Sequence, residues 1–259
     1  AMSAMSIVAL TWGRVAQDFY VWCTPEFGLV SFPDRVASTS SIMPQKKNPA
    51  VLEYLKGKSS HVIGLLTTSL NTVKGTHFTH TGDGSRESMR SFWECSEETL
   101  RCLSLLELIL GTVEPKRQNM MQRVRFDFLA ATDLADGLVS EGGLSFRDAH
   151  HVVGGLVRLA MDSGVSANDL TSEMLDRASV DVIGTAIDWS EEKLRKYLDP
   201  IASVNARSNG GPAPSEVASA IKRQLEHLES AASLVTSTRE ELNAASQQMK
   251  RDVEALAAN

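Results

Sequence analysis

Residues 48–75, NPAVLEYLKGKSSHVIGLLTTSLNTVKG, decide the fold class. Asn48-Pro49 is a helix-start signature: the asparagine side chain caps the first turn, and proline at the first helical position gives up only an N–H that would be unpaired anyway. Behind it, Val51, Leu52, Leu55, Val62, Leu65 and Leu66 recur at the spacing of an amphipathic helix. The pattern predicts about 25 residues of helix, ending at Gly75. A helix that long, with few strand signals around it, points to a bundle.

Reading outward, the flanks repeat the theme. Upstream, residues 1–22 carry Ile7, Val8, Leu10, Val15, Phe19 and Val21 with Arg14, Gln17 and Asp18 between them, predicting a mostly buried amphipathic helix that opens without a cap. No charged n-region or small-residue cleavage pattern marks it as a secretory signal. Pro25 and Gly28 close it, and an irregular Ser-, Thr-, Pro- and Lys-rich stretch runs to Asn48. Downstream, HFTHTGDGSRES (77–88) breaks the helical pattern, which resumes from about Glu87 to Leu110 with Phe92, Trp93, Leu100, Leu103, Leu106 and Ile109. Gly111 and Pro115 then mark a boundary. The expected domains are 1–111, the end of a long helical bundle, and 112–259, a smaller helical domain. Within the second, helical patterns cover about 116–140, 145–162, 167–178, 190–198 and 215–258. The expected class is all-α.

Composition narrows the function. The 259 residues are 42% apolar and 22% charged, an ordinary globular mix that excludes disordered and fibrous classes. No uncharged apolar run approaches the roughly 18–20 residues that cross a bilayer, so no membrane partner is expected. A net charge of −6, from 26 basic and 32 acidic residues, argues against a general nucleic-acid binder. Cys23, Cys95 and Cys102 form no CxxC pair, which suggests a reduced, cytoplasmic setting without a zinc site. The acidic run Glu94–Glu98 reads as a solvated face, His150-His151 as packing and capping residues of the second domain, and the methionines at 2, 5, 120 and 121 as filler.

The chemistry concentrates in Thr39-Ser40-Ser41-Ile42-Met43-Pro44-Gln45-Lys46-Lys47-Asn48-Pro49. Adjacent hydroxyls precede two lysines and an amide donor, and the run ends at a helix N-terminus, where backbone N–H groups and the dipole favour an anion. Positive charge beside a serine favours its ionised form, so the loop suits removal of a proton next to a carboxylate. Residue types alone leave open a plain surface loop before a capped helix.

SSIMPQKKNP strongly resembles the signature of the fumarase/aspartase superfamily, GSSxMPxKxNP, with only Thr39 departing from the glycine. The surrounding WCTPEFGLVSFPDRVASTSSIMPQKKNPAVLEYLKGKSSHVIGLL, and later ATDLADGLV (131–139), LSFRDAHHVVGGLVRLA (144–160) and LDPIASVNARSNGGPAP (198–214), resemble the argininosuccinate lyase branch. The resemblance implies a β-elimination that cleaves a C–N bond of an N-substituted aspartate and releases fumarate, with no cofactor and no metal. It makes Ser40 the general base and Lys46 and Asn48 the ligands of a substrate carboxylate and its doubly charged aci form. Ser41 and Met43 would shape the loop, and Thr39 would alter its closure.

One segment departs from the branch. Argininosuccinate lyases carry a YNxDxQEDKE-like stretch whose tyrosine, glutamine and lysine contact the arginine half of the substrate. Aligned from Lys74-Gly75, this chain has His80 at the tyrosine, Ser85 at the glutamine and Ser88 at the lysine; only Asp83 is retained. Arg86, two positions from the lost lysine, is a candidate replacement, and His80 a candidate contact to the amine. Sites built for hydrogen bonds reject ligands that lack them, so a different amine is implied. His77, His80 and Asp83 are also metal-ligand types at ligating spacing, against the alternative of a polar loop lining the site.

Two other readings stand beside this one: an ordinary argininosuccinate lyase of arginine synthesis, and a catalytically silent, crystallin-like structural relative. Retention of Ser40, Lys46 and Asn48 favours an enzyme. The resemblance further implies a homotetramer whose sites combine three signature regions from three subunits. The serine loop is the third of these. Full members are roughly twice this length, so the expectation is that activity needs the N-terminal half of the family chain.

Overall fold

The computed structural model describes residues 1–39, 42–43, 47–207 and 210–257, with the backbone alone at Asp83. The elements are almost entirely helical, as expected, and divide into two compact units, Ala1–Arg123 and Val124–Asn259.

The first unit is built on three long helices: α1 (Met2–Trp22), α2 (Ala50–Val73) and α3 (Ser88–Thr112). Each matches its sequence pattern in extent, but the buried face of α1 is not the one its large apolar residues suggest. Met2, Ser6, Ala9, Trp12 and Ala16 are the residues turned inward, whereas Ile7, Val8 and Leu10 are exposed. The inward set is mostly small because α1 lies hard against α2. A Cβ at Gly13 would fall 2.6 Å from Ser59 Oγ. Ser59 Oγ donates to the Ala9 carbonyl at 2.8 Å, and Trp12 Nε1 to the Leu55 carbonyl at 3.1 Å. Leu52, Leu55, Val62 and Leu65 of α2, with Cys95, Cys102 and Ile109 of α3, complete this core.

Glu98 is not on a solvated face. It is buried, its carboxylate meeting Lys58 Nζ at 2.9 Å and accepting from Tyr54 Oη at 3.5 Å. The Lys58 hydrogen bond holds the Glu98 carboxyl below the usual carboxylate range and raises the lysine in turn. A carboxylate taken from water needs such a partner to stay ionised, which is why an acidic run can turn one member inward.

Four two-residue strands tie the helix ends together. β1 (Val30–Ser31) pairs antiparallel with β4 (Glu114–Pro115), and β2 (Ser38–Thr39) with β3 (Lys47–Asn48). Asn48 therefore does not cap α2. Its backbone is committed to the ladder opposite Ser38, the cap residue is Pro49, and the helix starts at Ala50. The β1–β4 pair also holds the residues just past α3 within the first unit, which extends to Arg123.

In the second unit, α4 (Arg117–Phe126, begun in the first) is followed by α5 (Ala131–Ser140), α6 (Phe146–Asp162), α7 (Ser172–Ile183), α8 (Glu191–Leu198), α9 (Pro200–Ala206) and α10 (Pro214–Ala257). Ser145, Thr171, Ser190 and Asp199 each cap a following helix, with Pro200 at the start of α9. Their side-chain oxygens take up orphan N–H groups of the first turn. Leu134, Leu138, Val152, Leu156, Leu175 and Leu194 form the core. His150 and His151 are exposed on the middle turns of α6, with rings 5.8 Å apart, so they neither cap nor pack inside.

Glu141, just past α5, clamps α8. It accepts from Tyr197 Oη at 2.6 Å and Lys196 Nζ at 3.1 Å, and pairs with Lys193 Nζ at 3.2 Å. These bonds, that from Tyr197 foremost, hold its carboxyl at about 2. A depressed folded-state pKa stabilises above the unfolded value of about 4.3, and that contribution fades as pH falls toward 2. Glu141→Gln is accordingly expected to lower the melting temperature of the chain near neutral pH. The gap from wild type should close between about pH 4.5 and 2. A gap of constant size across that range would show that the carboxylate charge is not what holds the clamp.

Candidate active site

The β2–β3 ladder closes the serine loop at its base, with Ser38 opposite Asn48 and Thr39 opposite Lys47. Extended backbone at Thr39 accepts a β-branched side chain without strain, so the departure from glycine is accommodated by the ladder. Ser40, Ser41 and Lys46, the sequence candidates for base, loop shaping and carboxylate binding, lie outside the described residues. Met43 is exposed at 43% and its neighbour Ile42 at 85%, while Asn48 is half-buried.

Asn48 lines a cavity of about 280 Å³ at the foot of α2, together with Lys47, Ser31, Cys23 and Lys116. Lysine, asparagine and serine among the lining residues are the donor types that bind a carboxylate, and here Ser31 Oγ donates to the Glu114 carboxylate at 3.4 Å. Lys47 also forms an ion pair with Asp34. Burial pushes the Cys23 thiol upward, which keeps it protonated and unreactive at neutral pH.

Lys116 and Ser31 were not among the sequence candidates. They reach the cavity only through the β1–β4 pairing, which joins residues 83 apart in sequence with strands of two residues. Periodicity cannot register strands that short.

The candidates of the second segment lie elsewhere. His80 and Arg86 are exposed, Arg86 within a π-helical turn (Asp83–Glu87) that runs into α3. The Asp83 side chain lies outside the described residues. Ser85 Oγ donates to the Thr81 carbonyl at 2.8 Å and Ser88 Oγ to that of Gly84, so both hydroxyls are engaged within the turn. Between this segment and Asn48 stands the whole of α2, 24 residues or about 36 Å. One chain does not bring His80, Asp83 and Arg86 to Asn48. Among the described residues no group of three or more His, Cys, Asp or Glu side chains could hold a metal ion, and no helix is long and apolar enough to cross a membrane.

The fold has counterparts among solved structures. An EDDS lyase variant with bound fumarate superposes over 95% of this chain and 49% of its own, at a TM-score of 0.83 and 25% identity. Residues 1–64 match the family model described as Lyase, and residues 128–205 that described as Argininosuccinate lyase C-terminal. Argininosuccinate lyase 1 of Shouchella clausii is 39% identical over 230 residues, covering 88% of this chain and 45% of that protein. The argininosuccinate lyase of Methanothermobacter thermautotrophicus is 37% identical over 227 residues, covering 87% and 48%. The chain belongs to the argininosuccinate lyase branch of the fumarase/aspartase superfamily. It spans about half the length of these curated relatives.

Proposed function

We propose that this chain forms part of a carbon–nitrogen lyase that releases fumarate from an N-substituted aspartate whose amine differs from arginine. The observation that carries this is the SSIMPQKKNP run, joining β2 to β3 at the foot of α2 beside a cavity lined by Asn48, Lys47 and Lys116. Ser40, deprotonated, takes the proton from the carbon next to a carboxylate of the succinyl group. The electron pair passes into that carboxylate, and Lys46 and Asn48 stabilise the doubly charged aci form. Donors placed in advance where charge develops are commonly the largest catalytic contribution. Collapse of that form makes the carbon–carbon double bond and expels the amine. Ser41 and Met43 shape the loop around this step. The fumarate bound in the solved EDDS lyase variant supports fumarate as the product.

His80, Asp83 and Arg86 are assigned to the amine half. Their distance from Asn48 along α2 supports a site shared between subunits of a homotetramer, with further residues from the family's upstream regions. The first unit's outward apolar side chains, among them Ile7, Trp93 and Leu100 at 65–67% exposure, support burial of its surface in such an assembly.

A second reading, ordinary argininosuccinate lyase, is favoured by the names of the relatives at 37–39% identity. Fumarate absorbance, followed in the tetramer with a panel of N-substituted aspartates that includes argininosuccinate, separates the two. Faster turnover of another member than of argininosuccinate is expected; argininosuccinate as the best substrate would establish the second reading. Release from no member would leave the silent structural relative.

A further inference from the structure

The C-terminal helix α10 has a surface that nothing so far described uses. It runs 44 residues, about 66 Å, and not one of them is buried. Most helices in folded proteins are stabilised by packing one apolar face, and a helix this long has a face to pack. Counting in sevens from Ile221, every position is apolar: Ile221, Leu228, Val235, Leu242, Met249 and Leu256, exposed at 55–77%. Three residues before each comes a second seam, Ala218, Leu225, Ala232, Arg239, Ser246 and Val253. Alternating steps of three and four sustained over five heptads are the pattern of a left-handed coiled coil.

The second seam selects the partner and its direction. In a parallel pair of copies Arg239 would face Arg239, two like charges in one core layer. Turning one copy round about the middle of the helix removes that clash. Arg239 then meets Val235 of the other copy, Leu225 meets Met249, Ala232 meets Leu242, Ser246 meets Leu228, and Val253 meets Ile221. The side chains of Ala218, Ala232 and Ser246 leave room for the large residue opposite in three layers. The flanking positions bring Glu229 to Asn243 and Gln224 to Asp252. Lys222 and Lys250 do approach each other near the ends, each with a glutamate four residues on, Glu226 and Glu254, at ion-pairing spacing. Opposed helix dipoles also favour this direction.

We propose that α10 pairs with α10 of a second copy of this chain as an antiparallel coiled coil. Arg239 makes the parallel arrangement unfavourable, and the alternating small and large layers make the antiparallel one self-complementary.

Disulfide trapping in the 259-residue chain tests this. Ala232→Cys and Leu242→Cys chains are prepared separately, mixed, re-equilibrated and mildly oxidised, with wild type controlling for the native cysteines and far-UV circular dichroism for folding. The mixture is expected to give a covalent dimer joined between positions 232 and 242 in at least several-fold excess over either variant alone. Dimers of each variant with itself would mean a parallel pair and overturn the proposal. No cross-link in the mixture would also overturn it, assigning the seam to another segment or partner.

Discussion

Alanine at position 40 is expected to lower fumarate release by about three orders of magnitude, the middle of the range for losing a general base. The reasoning concerns one atom. A proton on carbon beside a carboxylate is weakly acidic, and it leaves only when a base meets it while donors hold the charge that develops. Ser40→Ala removes the base and leaves Lys46, Lys47 and Asn48 in place, so substrate binding should change far less than kcat. The ladder pairs that close the loop are Ser38–Asn48 and Thr39–Lys47, and neither uses the Ser40 side chain. Circular dichroism and assembly mass should therefore match wild type. Turnover within tenfold of wild type by a folded Ser40→Ala enzyme would refute the assignment.

The second large effect is on stability. Trp12 is fully buried between α1 and α2 and its indole N–H donates to the Leu55 carbonyl at 3.1 Å. Trp12→Ala should destabilise the first unit by about 4 kcal/mol, combining lost burial with the cavity left behind. Trp12→Phe keeps most of the bulk and loses the donor, so about 1 kcal/mol is expected. Urea unfolding followed by circular dichroism measures both, and the second unit's transition should stay in place. A Trp12→Ala loss below about 1 kcal/mol would mean that α1 can collapse onto α2, which the contact at Gly13 argues against.

Much of the fold could be read from the chain because long helices write a 3.6-residue period that survives local noise. Extents of α1, α2 and α3 came within a few residues of their patterns for that reason. The inward face of α1 was a different matter. Small residues pack there because the helices nearly touch, so size rather than hydrophobicity chose Ala9, Gly13 and Ala16 over Ile7 and Leu10. Glu98 misled for a related reason: Lys58, its partner, lies on another helix. Asn48-Pro49 announced a helix start correctly in position, yet the asparagine's backbone was already claimed by Ser38. The serine loop was legible as a run of residue types, whereas Lys116 entered the cavity through a tertiary contact that no local pattern encodes.

The approach of α1 to α2 reaches beyond packing. A methyl at position 13 would meet the Ser59 hydroxyl at 2.6 Å, and that same hydroxyl is spent on the Ala9 carbonyl. Neither position can therefore drift alone. A larger residue at 13 is tolerable only where 59 has already shrunk, and loss of the hydroxyl at 59 relaxes the demand for glycine at 13. Substitutions at the two sites should be non-additive, each altering the cost of the other. In descent, positions 13 and 59 are expected to change as a pair, and an alignment of related sequences in which they vary independently would count against this coupling.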